Sequence, residues 1–110
     1  MSENLAEMSC SMCVSATESM PVEEQQRLLE KLQGWNIVDE HHLERHYRFK
    51  NFKQALSFVN QVGEVAELEK HHPDIYFTWG KVKIEIMTHS IDGLTEADFI
   101  LAAKIDAITS

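Results

Sequence analysis

Residues 42–70, HLERHYRFKNFKQALSFVNQVGEVAELEK, change their hydrophobic period once, and that change decides the fold. Leu43, Arg45, Tyr47 and Phe49 alternate with Glu44, His46 and Arg48, the two-residue period of a strand with one face turned inward. From Asn51 onward Phe52, Leu56, Val59, Val62 and Ala66 fall three or four residues apart, the stripe of a helix running to about Glu69. A strand followed at once by a long amphipathic helix requires a sheet with that helix laid on it.

Upstream, Trp35 to Val38 is a short apolar run that a turn near Asp39 to His41 joins to the alternating strand. Before it, Pro21 suits a first helical position and Glu23 and Glu24 complement the positive helix end. Leu28, Leu29 and Leu32 make an apolar stripe, and Gly34 is the expected stop. Downstream, Pro73 is expected to stop the long helix. Ile75 to Trp79 and Val82 to Thr88 then read as two strands flanking a tight turn at Gly80, where a positive φ would suit glycine. Thr95-Glu-Ala-Asp98 matches a capping box, with Leu94 and Phe99 as its hydrophobic staple, and opens a last helix to about Ala107. The predicted order is α-β-β-α-β-β-α. It is an α+β fold with a four-stranded antiparallel sheet covered on one face by helices. Residues 1–19 read as a flexible arm and residues 20–110 as a single domain.

The bulk properties narrow the function classes. Among 110 residues, 44% hydrophobic and 25% charged is an ordinary globular composition. A formal charge of -8 with scattered basic residues argues against nucleic acid or an anionic membrane as partner. No run approaches the ~18 apolar residues of a membrane span, and MSENLAEMSC lacks the basic and apolar regions of a signal peptide. A cytoplasmic protein is expected. Cys10 and Cys13 form one CxxC, only two of the four ligands that a structural zinc needs, so no bound metal is expected there.

Six histidines remain to be placed. His71 and His72 fall where a helix gives way to a strand, and Pro73 biases His72 towards extended geometry, a junction able to present imidazoles to a cleft. His89 ends the last predicted strand. Strict alternation sets it on the face of Lys83, Glu85 and Met87, beside a loop of the kind that gathers functional groups. Asp98 at the third helical position is explained by capping alone. Trp35 reads as a core residue, and His41, His42 and His46 as turn or exposed-strand residues.

Taken together, Glu67, His71-His72-Pro73, Trp79, Lys81-Val82, Thr88-His89, Gly93-Leu94-Thr95 and Asp98 resemble the signature of the pterin-4a-carbinolamine dehydratases. The likeness extends upstream through Leu28-Leu29, Gly34-Trp35 and Tyr47-Arg48-Phe49 to about residue 22. Lys70, where some relatives carry an acid, and Gly80, where many carry Asn, depart from it. The resemblance implies dehydration of 4a-hydroxytetrahydropterin, the product of aromatic amino acid hydroxylases, to quinonoid dihydropterin, without metal or cofactor. It implies His71, His72, His89 and Asp98 as catalytic residues and Trp35, Pro73, Thr88 and Ser90 as substrate-binding ones. It also implies homodimers or homotetramers and functional coupling to a hydroxylase. The alternative implied by some relatives is a non-catalytic dimerisation or assembly cofactor of a protein partner.

Overall fold

The computed structural model describes residues 20–109, and its elements follow the predicted order. They are α1 (Val22–Leu29), β1 (Asn36–Val38), β2 (His42–Arg48), α2 (Phe52–Glu69), β3 (Asp74–Phe77), β4 (Lys81–Ile86) and α3 (Glu96–Thr109). The expected arm, with Cys10 and Cys13, lies outside the described residues. The four strands form one antiparallel sheet in the order β1-β2-β4-β3.

The pleat sorts residues as the alternation predicts. Leu43, Arg45 and Tyr47 of β2 stand opposite Ile86, Ile84 and Val82 of β4, and all but Arg45 are buried. Against this face pack Ala55, Phe58 and Val62 of α2 and Phe99, Ile100, Leu101 and Ile105 of α3. Each fully buried Leu, Ile or Phe contributes roughly 1.5–3 kcal/mol of transfer free energy. Phe99, Ile100, Leu101, Ala102 and Ala103 are buried in succession, so the middle of α3 is apolar on every side, the mark of a helix segment enclosed by its neighbours. The other sheet face carries Glu44, His46 and Arg48 opposite Glu85, Lys83 and Lys81.

Two helix ends set the position of the site. Asn51 opens α2 by accepting the Gln54 backbone N–H at 2.8 Å through its side chain. Lys70 closes it in the left-handed region at φ 56°, and the His71 N–H turns back to the Ala66 carbonyl at 3.2 Å. That reversal is the αL termination usually given to glycine. It stops the helix ahead of Pro73, which was expected to do so, and swings His71 back towards α3.

Other expectations shift for local reasons. Pro21 occupies the capping position and Val22 the first helical one. Helix α1 ends at Leu29, well before Gly34, which instead carries the positive φ of the bend into β1. Gly80 does not adopt a positive φ. A Cβ there would lie 3.0 Å from the Phe49 carbonyl oxygen, and Phe49 N–H bonds the Gly80 carbonyl at 2.8 Å, so close backbone approach is what favours glycine. Strand β4 ends at Ile86, so the alternation that was to orient His89 has broken off before reaching it. Beyond Met87, Thr88 pairs with Gly93 in a single bridge and its carbonyl accepts the Ile91 and Asp92 N–H groups, which curls His89 into a turn.

Candidate active site

Asp98 is the centre of the site. Its side chain is fully buried in the first turn of α3, yet it accepts three hydrogen bonds. Oδ2 takes the Thr95 backbone N–H at 2.7 Å and the Thr88 hydroxyl at 2.9 Å, while Oδ1 lies 2.5 Å from His71 Nε2. A buried carboxylate is tolerated only with such partners. The capping box is therefore half formed: the carboxylate returns its bond to Thr95 N–H, but the Thr95 hydroxyl sits 2.8 Å from the Thr88 hydroxyl.

This pattern orders the protons. Thr88 has one hydroxyl hydrogen and gives it to Asp98, so its oxygen accepts from Thr95. An ionised Asp98 can only accept, which assigns a hydrogen to His71 Nε2 and, in the neutral ring, leaves Nδ1 as an acceptor. His71 is 16% exposed against 0% for Asp98, so the imidazole spans from the buried acceptor to solvent.

The remaining candidates stand in different relations to that pair. His72 points elsewhere and is exposed, its Nε2 in short contact with Glu67 of the last turn of α2. Pro73, half-buried, leads the chain from the pair into β3. His89 and Ser90 are exposed in the turn after Thr88, whose bond to Asp98 ties that turn to the buried carboxylate. Trp35 is not part of this network. Buried, it donates its indole N–H to Asp106 at 2.8 Å, an oxygen that also accepts Arg45 Nη1 at 2.6 Å. Sequence reasoning missed the Glu67 contact and the Asp106 cluster. Glu67 had appeared only as part of the signature, and the Asp106 partners are 61 and 71 residues away.

Two open hollows, of about 410 and 350 Å³, lie at the far end of the sheet among Arg48, Thr78 and Lys81, and contain none of the candidate histidines. The site is instead a junction where α2, α3 and the turn after β4 meet. A buried carboxylate orienting an imidazole, with two further imidazoles nearby in the chain, is equipped for proton transfer at neutral pH. Among the described residues no helix is long and apolar enough to cross a membrane.

Comparison with known proteins shows the family. The family profile described as pterin 4 alpha carbinolamine dehydratase matches residues 18–108. A protein of Rubrobacter xylanophilus carrying the provisional name pterin-4-alpha-carbinolamine dehydratase is 55% identical over 104 residues, covering 94% of this chain and 97% of its own. A similarly named protein of Vibrio cholerae is 48% identical over 108 residues, covering 96% and 99%. The crystal structure of a transcriptional coactivator/pterin dehydratase from Brucella melitensis superimposes with a TM-score of 0.79 at 33% identity, covering 84% of this chain and all of that one. A pterin dehydratase-like RuBisCO assembly factor of the alpha-carboxysome, at 22% identity and TM-score 0.61 over 71% of this chain and 92% of its own, shares the fold. With the profile spanning nearly all the described residues and relatives matched end to end, the chain belongs to the pterin-4a-carbinolamine dehydratase family.

Proposed function

We propose that this protein dehydrates a 4a-hydroxytetrahydropterin to quinonoid dihydropterin, using His71, His72, His89 and Asp98. The observation that carries the reading is the fully buried Asp98 accepting from His71, Thr88 and Thr95 at once. The reaction needs a proton delivered to the departing 4a-hydroxyl and one removed from ring N5, and the products are quinonoid dihydropterin and water. Imidazole, with an unperturbed pKa of about 6.5, can do either near neutral pH. Asp98 holds His71 in one tautomer and one orientation. His89 acts from the neighbouring turn, and His72, steadied by Glu67, orients the substrate and polarises the hydroxyl. Pro73, Thr88 and Ser90 border the histidines and touch the pterin, with Trp35 as an aromatic wall whose polar edge is engaged by Asp106.

The same proposal includes recycling of the cofactor of an aromatic amino acid hydroxylase and assembly into dimers or tetramers. Self-association is supported by the exposed apolar Phe52, Leu56 and Leu68 on α2, and by β1 and β3, each bonded to a neighbour on one side only. The non-catalytic alternative leaves the His71 and Asp98 pair unexplained. In a coupled phenylalanine hydroxylase reaction, adding the protein is expected to shorten the lifetime of the 4a-carbinolamine in proportion to its concentration. An unchanged lifetime at every concentration would remove the enzymatic reading.

A further inference from the structure

The open face of the sheet carries a row of carboxylates that the proposed dehydration does not use. Register sets Glu44 of β2 directly opposite Glu85 of β4, and Glu85 directly opposite Asp74 of β3. Like charges opposed across a ladder destabilise a sheet, so the row favours whatever cation joins it. His42, next along the same face of β2, adds an imidazole. One ligand atom from each of His42, Glu44 and Glu85 lies within 4.8 Å of the others. All three residues are half-buried and sit on paired strands, so their backbone is in place before any ligand arrives.

We propose that His42, Glu44 and Glu85 form a binding site for a divalent cation of the zinc type. One imidazole and two carboxylates are a borderline donor set suited to Zn²⁺ and Co²⁺ more than to Mg²⁺ or Ca²⁺, which take oxygen ligands. Zinc bonds of ~2.0–2.1 Å place tetrahedral ligand atoms roughly 3.3 Å apart, closer than the 4.8 Å limit within which these ligand atoms now lie. The His42 ring has support of its own. His41 Nδ1 lies 3.2 Å from His42 Nδ1, and the other nitrogen of His41 is 2.8 Å from Asp92 Oδ1, so the neighbour that steadies His42 is itself held by a carboxylate.

Lys83 is the main competitor for this position, with His46 Nε2 also 3.4 Å from Glu44 Oε2. Lys83 Nζ lies 3.2 Å from Glu85 Oε2 and 3.9 Å from Glu44 Oε1. Lys83 also stands 4.3 Å from the Tyr76 ring centroid, so a metal ion can take over the carboxylates while the ammonium keeps an aromatic partner. The site uses none of the proposed catalytic residues, although Asp92 lies in the turn that carries His89.

The test is a calorimetric Zn²⁺ titration of chelator-treated full-length protein with Cys10→Ser and Cys13→Ser, together with the visible spectrum of its Co²⁺ form. One ion per chain is expected. Glu85→Gln and His42→Ala should each weaken binding at least about tenfold, Lys83→Met should tighten it several-fold, and His71→Ala should leave it unchanged. Glu85→Gln and Lys83→Met keep side-chain volume, so the opposite shifts remain readable if His42→Ala unfolds. Absence of binding up to millimolar Zn²⁺, or stoichiometric binding indifferent to Glu85→Gln and Lys83→Met, would overturn the proposal.

Discussion

Helix α3 carries two carboxylates that serve different ends with the same functional group. Asp98, in its first turn, is fully buried and meets an imidazole, a hydroxyl and a backbone N–H. Asp106, near its end, is 16% exposed and meets the Arg45 guanidinium, the Trp35 indole and the Gln33 backbone N–H. Arg and Trp keep their protons throughout the neutral range, so the Asp106 cluster is a fixed clasp between α3, β2 and the bend before β1. Histidine exchanges its proton there, so the Asp98 cluster can change state without coming apart. Whether a buried acid serves stability or chemistry is decided by its partner.

The comparison can be broken at either carboxylate. The largest effect is expected at His71, whose replacement by Ala should lower kcat/KM at least about a hundredfold, the low end of what a positioned acid or base supplies. A folded His71→Ala variant with near-normal turnover would detach the Asp98 cluster from the chemistry. Asp106→Asn leaves Arg45 without its anionic partner and should cost about 2 kcal/mol of stability, read by urea unfolding, with kcat within twofold of wild type. Loss of turnover at full stability would make the clasp part of the site.

Trp35→Phe sharpens the contrast further. It keeps an aromatic ring, removes the donor to Asp106, and is expected to cost about 1 kcal/mol with KM little changed. A KM raised more than about tenfold in a fully stable variant would put the indole N–H itself on the substrate. The smallest effect is expected from deleting residues 1–19, which lie outside the family profile but for its first positions. Dehydration should stay within a few-fold of wild type, and its disappearance would assign that segment a part in the reaction.

What could be read from the sequence follows the range of the forces involved. The period change across residues 42–70 reports on side chains that share one face, so β2 and α2 were legible to within a residue or so at each end. Asp98 was legible twice, as a helix cap from Thr95-Glu-Ala-Asp98 and as a family residue. The bond that links these roles, from Asp98 to His71, joins residues 27 apart and has no periodic signal. Lys70 in the left-handed region gave no warning because the residues that favour that conformation are glycine and asparagine. His89 was misplaced on a strand because alternation carries no mark of where pairing stops, and the Thr88 to Gly93 bridge depends on backbone bonds that any residues could make. The opposed Glu44, Glu85 and Asp74 needed the strand order before their charges could be set side by side.

The most direct test of the central claim is stopped-flow decay of 4a-hydroxytetrahydropterin with wild type and Asp98→Asn, with thermal melting on the same preparations. Asn keeps the acceptor for Thr95 N–H and the shape of the side chain, and removes the anionic partner of His71. Stability should fall by at most about 1 kcal/mol, as for a helix cap. The account predicts that kcat/KM falls at least about tenfold, equivalent to ~1.4 kcal/mol of lost transition-state stabilisation, in a protein that remains folded. Wild-type turnover in folded Asp98→Asn would contradict it and return Asp98 to a purely structural role.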